Sequence, residues 1–517
     1  MAVPGGAGLE QAERETMSKS SYEMLIEQVR EIRTLESIES LLGWDQQTYM
    51  PKCGAAHRAN QSALIAASVH ERFTSAELGA LLEQAERVAD RADPVVATNL
   101  RELRRDYDRA VKLPTRLVRE IAEAGALAFE AWQAARARSD FAHFAPHLAR
   151  LLELKREVAD RIGWQQERYD ALLDEYEPGE CAAGIHELFA ALRPQLVALT
   201  TAIQAAPRQP DRELPRRPAP VAQQAAFNRA MADALGFDFT AGRLDVSAHP
   251  FTTALCPQDV RITTRYDERN IADSLFSVIH EVGHALYEQG YEPRHVGTPM
   301  GTYVSFGLHE SQSRLWENLV GRSRPFWQHF LPRLREVLPD WVGTDLDDWL
   351  LAINAVGPSL VRVAADEVTY GLHIILRFEL ERELVGGQLA VADVPEAWNE
   401  RMRELLGIVP PDDAQGCLQD VHWSMGAFGY FPSYQLGNIY AAQLFAAARR
   451  ALPELDAQIA RGQLRPLLEW LRGSIHRHGK RYRARELLRV VTGEELSAQP
   501  FLDYLNGKYR RLYGLEA

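Results

Sequence analysis

Residues 280–284 read His-Glu-Val-Gly-His and lie inside the longer stretch NIADSLFSVIHEVGHALYEQG, residues 270–290. His280 and His284 are four residues apart, so a helix would place both imidazoles on one face, one turn from each other. Two such side chains can bind one metal ion. Glu281, directly after the first histidine, can take a proton from a metal-bound water. This stretch therefore predicts a helix that carries a hydrolytic metal site.

The helical interpretation has support from the surrounding residues. Apolar side chains recur at helical spacing, Asn270 or Asp273 can cap the first turn, and Gly290 can end the helix. Gly283 weakens a helix by about 1 kcal/mol relative to alanine. A residue that breaks a local rule at such a position indicates that another part of the protein approaches the helix closely.

A catalytic zinc site takes three protein ligands and leaves one position for water, so a third ligand is required. A second amphipathic segment, SFGLHESQSRLWENLV, spans about residues 305–320 and contains Glu310, which is 26 positions after His284. A loop with Gly and Pro lies between the two segments, which predicts a second helix antiparallel to the first. Spacing alone leaves other candidates open, namely Glu288, Glu292, His295, His309 and Glu317.

Composition limits the class of protein. The chain has 517 residues, of which 46% are hydrophobic and 25% charged, values typical of a soluble globular protein. The net charge of −13 argues against nucleic acid or an anionic membrane as a partner. The four cysteines are scattered without a CxxC pair, which favours reduced thiols in a cytoplasmic protein. They are Cys53, Cys181, Cys256 and Cys417.

The ends and the domain organisation follow from composition and pattern. Residues 1–16 have no apolar core typical of a secretory signal. We expect a disordered extension over 1–19, and Met17 is an alternative start. The sequence has no uninterrupted apolar run of about 18 residues, so we expect no membrane-spanning helix. Length alone suggests about three domains. We nevertheless expect one domain over 20–515, with an N-terminal helical region to about 205, a proline-rich loop over 206–222 and a metal-bearing region over 223–515.

Helical periodicity dominates the chain, so the predicted fold class is mainly α. The exception is residues 243–266, where DVRITTRY (259–266) alternates, holds β-branched residues and reads as a strand. We therefore expect a large helical fold with a central groove and a small β-sheet beside the histidine-bearing helix. The predicted helices are 20–47, 57–71, 96–137, 140–163, 180–205, 221–236, 272–290, 304–321, 345–353, 359–384, 394–407, 434–452, 464–475 and 499–512.

Several motifs resemble those of the carboxypeptidase Taq family of metallocarboxypeptidases, in the order in which that family has them. The resemblance covers about residues 20–515, and Gln47 and Val361 are small departures from the usual pattern. The matching stretches are WDQQTYMP (44–51), YDALLDEYEPG (169–179), HPF (249–251), DVRIT (259–263), HESQ (309–312), RVAAD (362–366), GCLQDVHW (416–423), GYFPSYQLG (429–437) and the C-terminal tyrosines and glycines from Thr492 to Gly514.

The resemblance implies a metallocarboxypeptidase that removes C-terminal residues from peptides, with Glu310 as the third ligand beside His280 and His284. It implies one Zn²⁺ per chain, with Co²⁺ or Mn²⁺ as alternatives, and a homodimer. Two other functions stay open. One is an oligopeptidase or dipeptidyl carboxypeptidase with the same chemistry. The other is a non-catalytic helical binding protein, against which intact Glu281 and both histidines argue.

The tetrahedral intermediate needs hydrogen-bond donors beyond the metal. His422 and Tyr434 are the candidates, because their spacing of 12 resembles that of the His and Tyr that serve thimet-type oligopeptidases. Tyr430 competes with Tyr434, and each side chain could instead be a buried polar group bonded to backbone. Asp420 is a candidate to orient a metal-ligating histidine.

An exopeptidase must also recognise the free C-terminal carboxylate, and a guanidinium is best suited to that task. Arg362 is the first candidate, from the resemblance, and Arg261 on the predicted strand is the second. The alternative for each is an internal salt bridge, of Arg362 with Asp366 or of Arg261 with Asp259. We expect the same strand to form a sheet edge that holds the peptide by β-addition.

Overall fold

The structure, a computed structural model, describes residues 19–515. It confirms a mainly α fold with one small sheet. The predicted N-terminal extension and the alternative start at Met17 lie outside the described residues, apart from residue 19. Within the described part of the chain, no helix is long and apolar enough to cross a membrane.

Helices α1 to α9 precede the sheet. They are α1 (Ser21–Thr48), α2 (Ala55–Phe73), α3 (Ala76–Val88), α4 (Pro94–Lys112), α5 (Thr115–Arg138), α6 (Phe141–Ile162), α7 (Arg168–Tyr176), α8 (Ala182–Gln204) and α9 (Val221–Leu235).

The three strands are β1 (Gly242–Val246), β2 (Thr252–Cys256) and β3 (Asp259–Thr264). Helices α10 to α20 follow. They are α10 (Ile271–Glu288), α11 (Phe306–Arg314), α12 (Arg324–Val337), α13 (Leu346–Ile353), α14 (Tyr370–Gly386), α15 (Val394–Leu406), α16 (Phe431–Ala451), α17 (Leu455–Ala460), α18 (Arg465–Ser474), α19 (Ala484–Thr492) and α20 (Gln499–Tyr513). A π-helical turn, Leu315–Val320, continues α11.

Two predicted helices depart from the structure by more than a few residues. The prediction 96–137 was wrong as one helix, because the chain breaks at Leu113 and Pro114 between α4 and α5. Proline lacks an N–H and disfavours helical backbone in the residue before it, and Leu113 is extended. The prediction 359–384 begins too early, because Asp366 accepts hydrogen bonds from the amides of residues 368 and 369 in a turn that precedes α14.

The sheet corrects one expectation. Its strand order is β1-β3-β2, with β1 parallel and β2 antiparallel to β3. The predicted strand is therefore the central one, and both of its edges are already paired, so β-addition of a peptide to it is excluded. Strand β2 is the edge strand that lies beside α10, and its Thr252 contacts Glu281 on that helix.

The described chain has two hydrophobic cores. A smaller core joins α1, α3 and α4. The larger core extends from Leu117 to Tyr513 and includes residues of the proline-rich loop, such as Leu214 and Ala219. Helices α5 to α8 therefore share their core with the metal-bearing region. The 206–222 loop is packed against the protein and is not a free linker.

Close contacts between three helices shape the centre of the larger core. A β-carbon on Gly283 of α10 would lie 2.5 Å from the Cα of Ser313, which confirms the close approach predicted from that glycine. A β-carbon on Gly437 of α16 would lie 2.5 Å from the Cγ of Glu310 on α11. These glycines let α10 and α16 pack directly against α11, the helix that carries Glu310.

Candidate active site

The structure brings together the three predicted metal ligands. The ligand atoms of His280 and His284 on α10 and of Glu310 on α11 all lie within 4.8 Å of one another. Oε2 of Glu310 is 3.6 Å from Nε2 of His280 and 3.3 Å from Nε2 of His284. Two imidazole nitrogens and one carboxylate oxygen that converge in this way fit a single divalent cation.

The protonation states of two of these groups also fit metal binding. Burial, helped by the neighbouring His309, lowers the pKa of His284 to about 3, so its imidazole is neutral at ordinary pH. Burial alone would raise the pKa of Glu310, but Arg314 and His280 outweigh it and hold that pKa well below its usual value. A neutral imidazole and an ionised carboxylate are the forms that ligate metals.

Glu317 is the acidic residue behind His280. Its Oε2 lies 2.9 Å from Nδ1 of His280, and its carboxylate also pairs with Arg314 and Arg322. A partner of this kind fixes the orientation of a ligand ring. The sequence leaves Glu317 open as a third ligand and makes Asp420 the candidate for the orienting role. In the structure Glu317 contacts His280, whereas Asp420 pairs with Arg362.

Glu281 is buried and faces β2. Its Oε2 accepts a 2.6 Å hydrogen bond from the Thr252 hydroxyl. Burial raises the pKa of Glu281, against opposing effects from His280 and Thr252. No motif indicates Thr252, because only the fold brings β2 to this helix.

His422 and Tyr434 contact each other. Nε2 of His422 is 3.2 Å from the Tyr434 hydroxyl oxygen, and the Tyr430 ring lies 5.1 Å from that of Tyr434. Burial lowers the pKa of His422 to about 4, although Asp420 opposes this, so the ring is neutral near pH 7. Tyr434 lies one helical turn before Gly437, the residue that packs on Glu310.

Arg362 belongs to a buried ionic cluster. Its Nε and Nη2 donate to Oδ1 of Asp420 at 3.0 and 2.8 Å, and its Nη1 donates to the Tyr370 hydroxyl at 3.0 Å. Arg377 donates to the other oxygen of Asp420 at 2.7 Å. The cluster of two arginines and one aspartate has a net charge of +1, and the Arg362 guanidinium lies 4.9 Å from the Tyr434 ring.

Arg261 lies elsewhere. It forms a bidentate salt bridge with Asp259, the alternative named above, and its guanidinium stacks 4.3 Å from the Trp44 ring of α1. Strand alternation directs it away from Val260 and Ile262, which are buried in the larger core. The Arg362 alternative, a bridge to Asp366, does not form; Arg362 pairs with Asp420 instead.

Comparison with known proteins places this geometry in a family. The sequence profile of the carboxypeptidase Taq (M32) metallopeptidases matches residues 24–509. Thermostable carboxypeptidase 1 of Thermus thermophilus is 47% identical over 96% of this chain and 99% of its own length. Carboxypeptidase 1 of Bacillus subtilis is 37% identical over 96% of this chain and 99% of its own length. The crystal structure of the M32 carboxypeptidase from Deinococcus radiodurans R1 is 41% identical, with a TM-score of 0.93, and the match covers 96% of this chain and 100% of that one.

The chain belongs to the carboxypeptidase Taq (M32) family. This M32 carboxypeptidase is therefore a metal-dependent hydrolase that removes C-terminal residues from peptides. The matches give no support to the oligopeptidase or dipeptidyl carboxypeptidase alternative, and they confirm the resemblance drawn from the sequence motifs.

Two cavities flank the ligand set of this carboxypeptidase. One, of about 440 Å³, is lined by β2, by Glu288 one turn beyond His284, and by Phe306 at the start of α11. The other, of about 330 Å³, is lined by Arg314, Glu317 and Tyr370.

Proposed function

We propose that His280, His284 and Glu310 hold one divalent ion and that this ion is zinc. The observation that carries the proposal is the convergence of their three ligand atoms within 4.8 Å. Two histidines and one carboxylate are a donor set typical of catalytic zinc, and Co²⁺ and Mn²⁺ accept the same donors. When bound, the ion would polarise the scissile carbonyl and make water more acidic.

Glu281 is the proposed general base. It would take a proton from the attacking water and deliver it to the leaving amine. The Thr252 hydrogen bond to Oε2 supports this role because it fixes the carboxylate while the other oxygen, Oε1, remains for water. The raised pKa of Glu281, caused by burial, brings it closer to neutral pH, where proton transfer in both directions is efficient.

Tyr434 is the proposed donor to the oxyanion, and His422 sets the direction of its hydroxyl. Neutral His422 can carry its proton on Nε2, and this N–H can then donate a hydrogen bond to the Tyr434 hydroxyl oxygen 3.2 Å away. The Tyr434 hydrogen is then free to point at the substrate. The opposite tautomer would accept that hydrogen and remove the donor, so the proposal requires the Nε2 proton.

Arg362 is the proposed anchor for the C-terminal carboxylate. Three of its five N–H groups bond Asp420 and Tyr370, which leaves two without a partner among the described residues. The net charge of +1 on the buried cluster also favours an anion beside it. Arg261 is the second candidate, although it stacks on Trp44 and is satisfied by Asp259.

The experiment uses matched peptides with a free or an amidated C-terminus, and mass spectrometry follows the successive products. Wild type should shorten only the free-acid peptide, one residue at a time. Arg362→Ala should lower kcat/KM by about 30- to 1000-fold, the loss of one buried charge-assisted anchor, with lysine restoring part of it. Equal cleavage of both peptides by wild type would overturn the anchor proposal. If wild type discriminates but Arg362→Ala leaves kcat/KM unchanged, Arg261→Ala is the next variant.

We also propose a homodimer and a cytoplasmic location. Relatedness to the M32 family supports the dimer, and the four free cysteines of the described chain support a reducing compartment. Light scattering coupled to size exclusion measures the first, and cell fractionation the second.

A further inference from the structure

The motif YDALLDEYEPG (169–179) has no part in the chemistry proposed above. It forms α7 and the turn that follows, and it packs against the start of α16. A β-carbon on Gly429 would lie 2.7 Å from the Leu172 backbone, and the Tyr176 ring lies 5.0 Å from the Tyr430 ring. The motif therefore lies directly behind the helix that carries Tyr434.

Glu177, in that turn, bonds the first turns of two helices. Its Oε1 accepts hydrogen bonds from the Gly307 amide of α11 at 2.5 Å and from the Ser433 hydroxyl of α16 at 2.6 Å. Gly307 is three residues before Glu310, and Ser433 is the residue before Tyr434. One carboxylate oxygen thus links the helix of a metal ligand to the helix of the proposed oxyanion donor.

The surroundings of Glu177 are unusual for a purely structural carboxylate. It is fully buried, and among the described residues no Lys, Arg or His forms a salt bridge with it. Burial raises the pKa of Glu177 to about 7, against opposing hydrogen bonds from Ser433, Gly307 and Ser305. Hydrogen bonds and the positive ends of two helices compensate its charge in place of a cation. A buried acid without a cation costs stability, so its presence here indicates a function.

The geometry at Gly307 is equally specific. A β-carbon on this residue would lie 2.9 Å from Oε1 of Glu177, so a larger residue here would displace the carboxylate from the amide. The Phe306 ring beside it packs 5.5 Å from the Tyr176 ring. The turn that holds Glu177 therefore contacts α11 as well as α16.

We propose that Glu177 is a positioning residue that sets Tyr434 at its working distance from the metal ligand Glu310 by joining the first turns of α11 and α16. This inference rests on the proposed role of Tyr434. The hydrogen bonds of Glu177 go to Gly307 and Ser433 and not to a proposed metal ligand, so it would act on catalysis through the two helices.

The test compares two substitutions in the metal-loaded enzyme. Glu177→Asp keeps the charge but withdraws the acceptor by one methylene, and a shift of about 1 Å at the reacting groups should lower kcat by roughly 10- to 100-fold, with KM within about twofold. Glu177→Gln keeps an acceptor oxygen in place and should stay within about threefold of wild-type kcat at pH 7. Bound metal should stay at wild-type stoichiometry in both.

Glu180→Gln is the matched control. Glu180 is also buried, lies three residues further on, and pairs with Arg485 without touching either helix start. Its loss should lower the Tm and leave kcat unchanged. If Glu177→Asp loses no more kcat than this control, Glu177 has only a structural role and the inference is overturned.

A double substitution separates this inference from the function on which it rests. If Glu177 acts through Tyr434, Glu177→Asp should cost little further kcat in a Tyr434→Phe background. Full additivity of the two losses would overturn the inference alone. Wild-type kcat in Tyr434→Phe would overturn both the proposed oxyanion role and the inference.

Discussion

Glu281 differs from the other acidic residues around it. Glu310 and Glu317 are both bonded to arginine, whereas the described partner of Glu281 is the neutral hydroxyl of Thr252. A carboxylate held by arginine is a poor proton acceptor, so Glu281 is the one suited to be a base. Glu281→Gln should therefore keep wild-type metal content and fold, measured by metal analysis and Tm, and lose kcat by on the order of 10³-fold. Near-normal turnover by this variant would show that the base lies elsewhere.

Glu177 gives a pH prediction that is independent of activity. Its pKa is about 7 in the folded protein against 4.5 in the unfolded chain, so its contribution to stability is complete below pH 4.5 and is lost as the pH rises through 7. Glu177→Gln has no such loss. The free energy of unfolding of Glu177→Gln minus that of wild type should therefore rise by up to about 3 kcal/mol between pH 5 and pH 8. Denaturant melts at both pH values measure this, and a constant difference would contradict it.

At the scale of elements, the site depends on helices that touch through glycine. Gly437→Ala would place a methyl group 2.5 Å from the Cγ of Glu310. Overpacking of this kind should cost about 1–3 kcal/mol and should weaken metal binding, measured by chelator competition. Gly507→Ala in α20 is the control, because nothing lies within 4 Å of its new methyl. It should be neutral or gain up to about 1 kcal/mol from helix propensity. Equal effects of the two would contradict the close approach.

The elements also show what sequence could predict. Helix α10 was predicted within one or two residues, because its apolar period and end signals are local properties. The position of β3 was predicted correctly but its place in the sheet was not, since pairing depends on β1 and β2, whose short segments carry no comparable pattern. The break at Pro114 was a local signal that the apolar period of the joined helices obscured.

Within the site, too, local sequence motifs are predictable and contacts made by the fold are not. His280, Glu281, His284 and Glu310 follow from motifs, and the structure brings the ligand atoms of His280, His284 and Glu310 together. The groups that support them do not follow from motifs, because Thr252, Glu317 and the Asp420 cluster meet their partners only through the fold. The i+7 spacing of Glu317 from Glu310 was the one available signal, since it places both on one helical face.

At the scale of the whole molecule, the proposed metal ligands lie on two helices that contribute to the larger core. An ion that binds only the folded state should stabilise it by about 2.7 kcal/mol at a concentration of 100 times Kd. Removal of the metal with a chelator should therefore lower the Tm, measured by calorimetry at a fixed protein concentration. Glu310→Ala should melt at the same temperature with and without chelator. A wild-type Tm that is the same with and without chelator would contradict the proposed ligand set.

The contact at Gly283 has a consequence for transplanting this site. The pattern His-Glu-x-x-His leaves two positions unspecified, yet here Val282 is buried in the core and Gly283 has no room for a β-carbon beside Ser313. The structural unit that would have to be transplanted is thus a pair of helices in backbone contact, and not the five-residue motif alone. An engineer who grafts the two histidines and the glutamate onto another scaffold would also need a bare backbone at the fourth position and a second helix pressed against it.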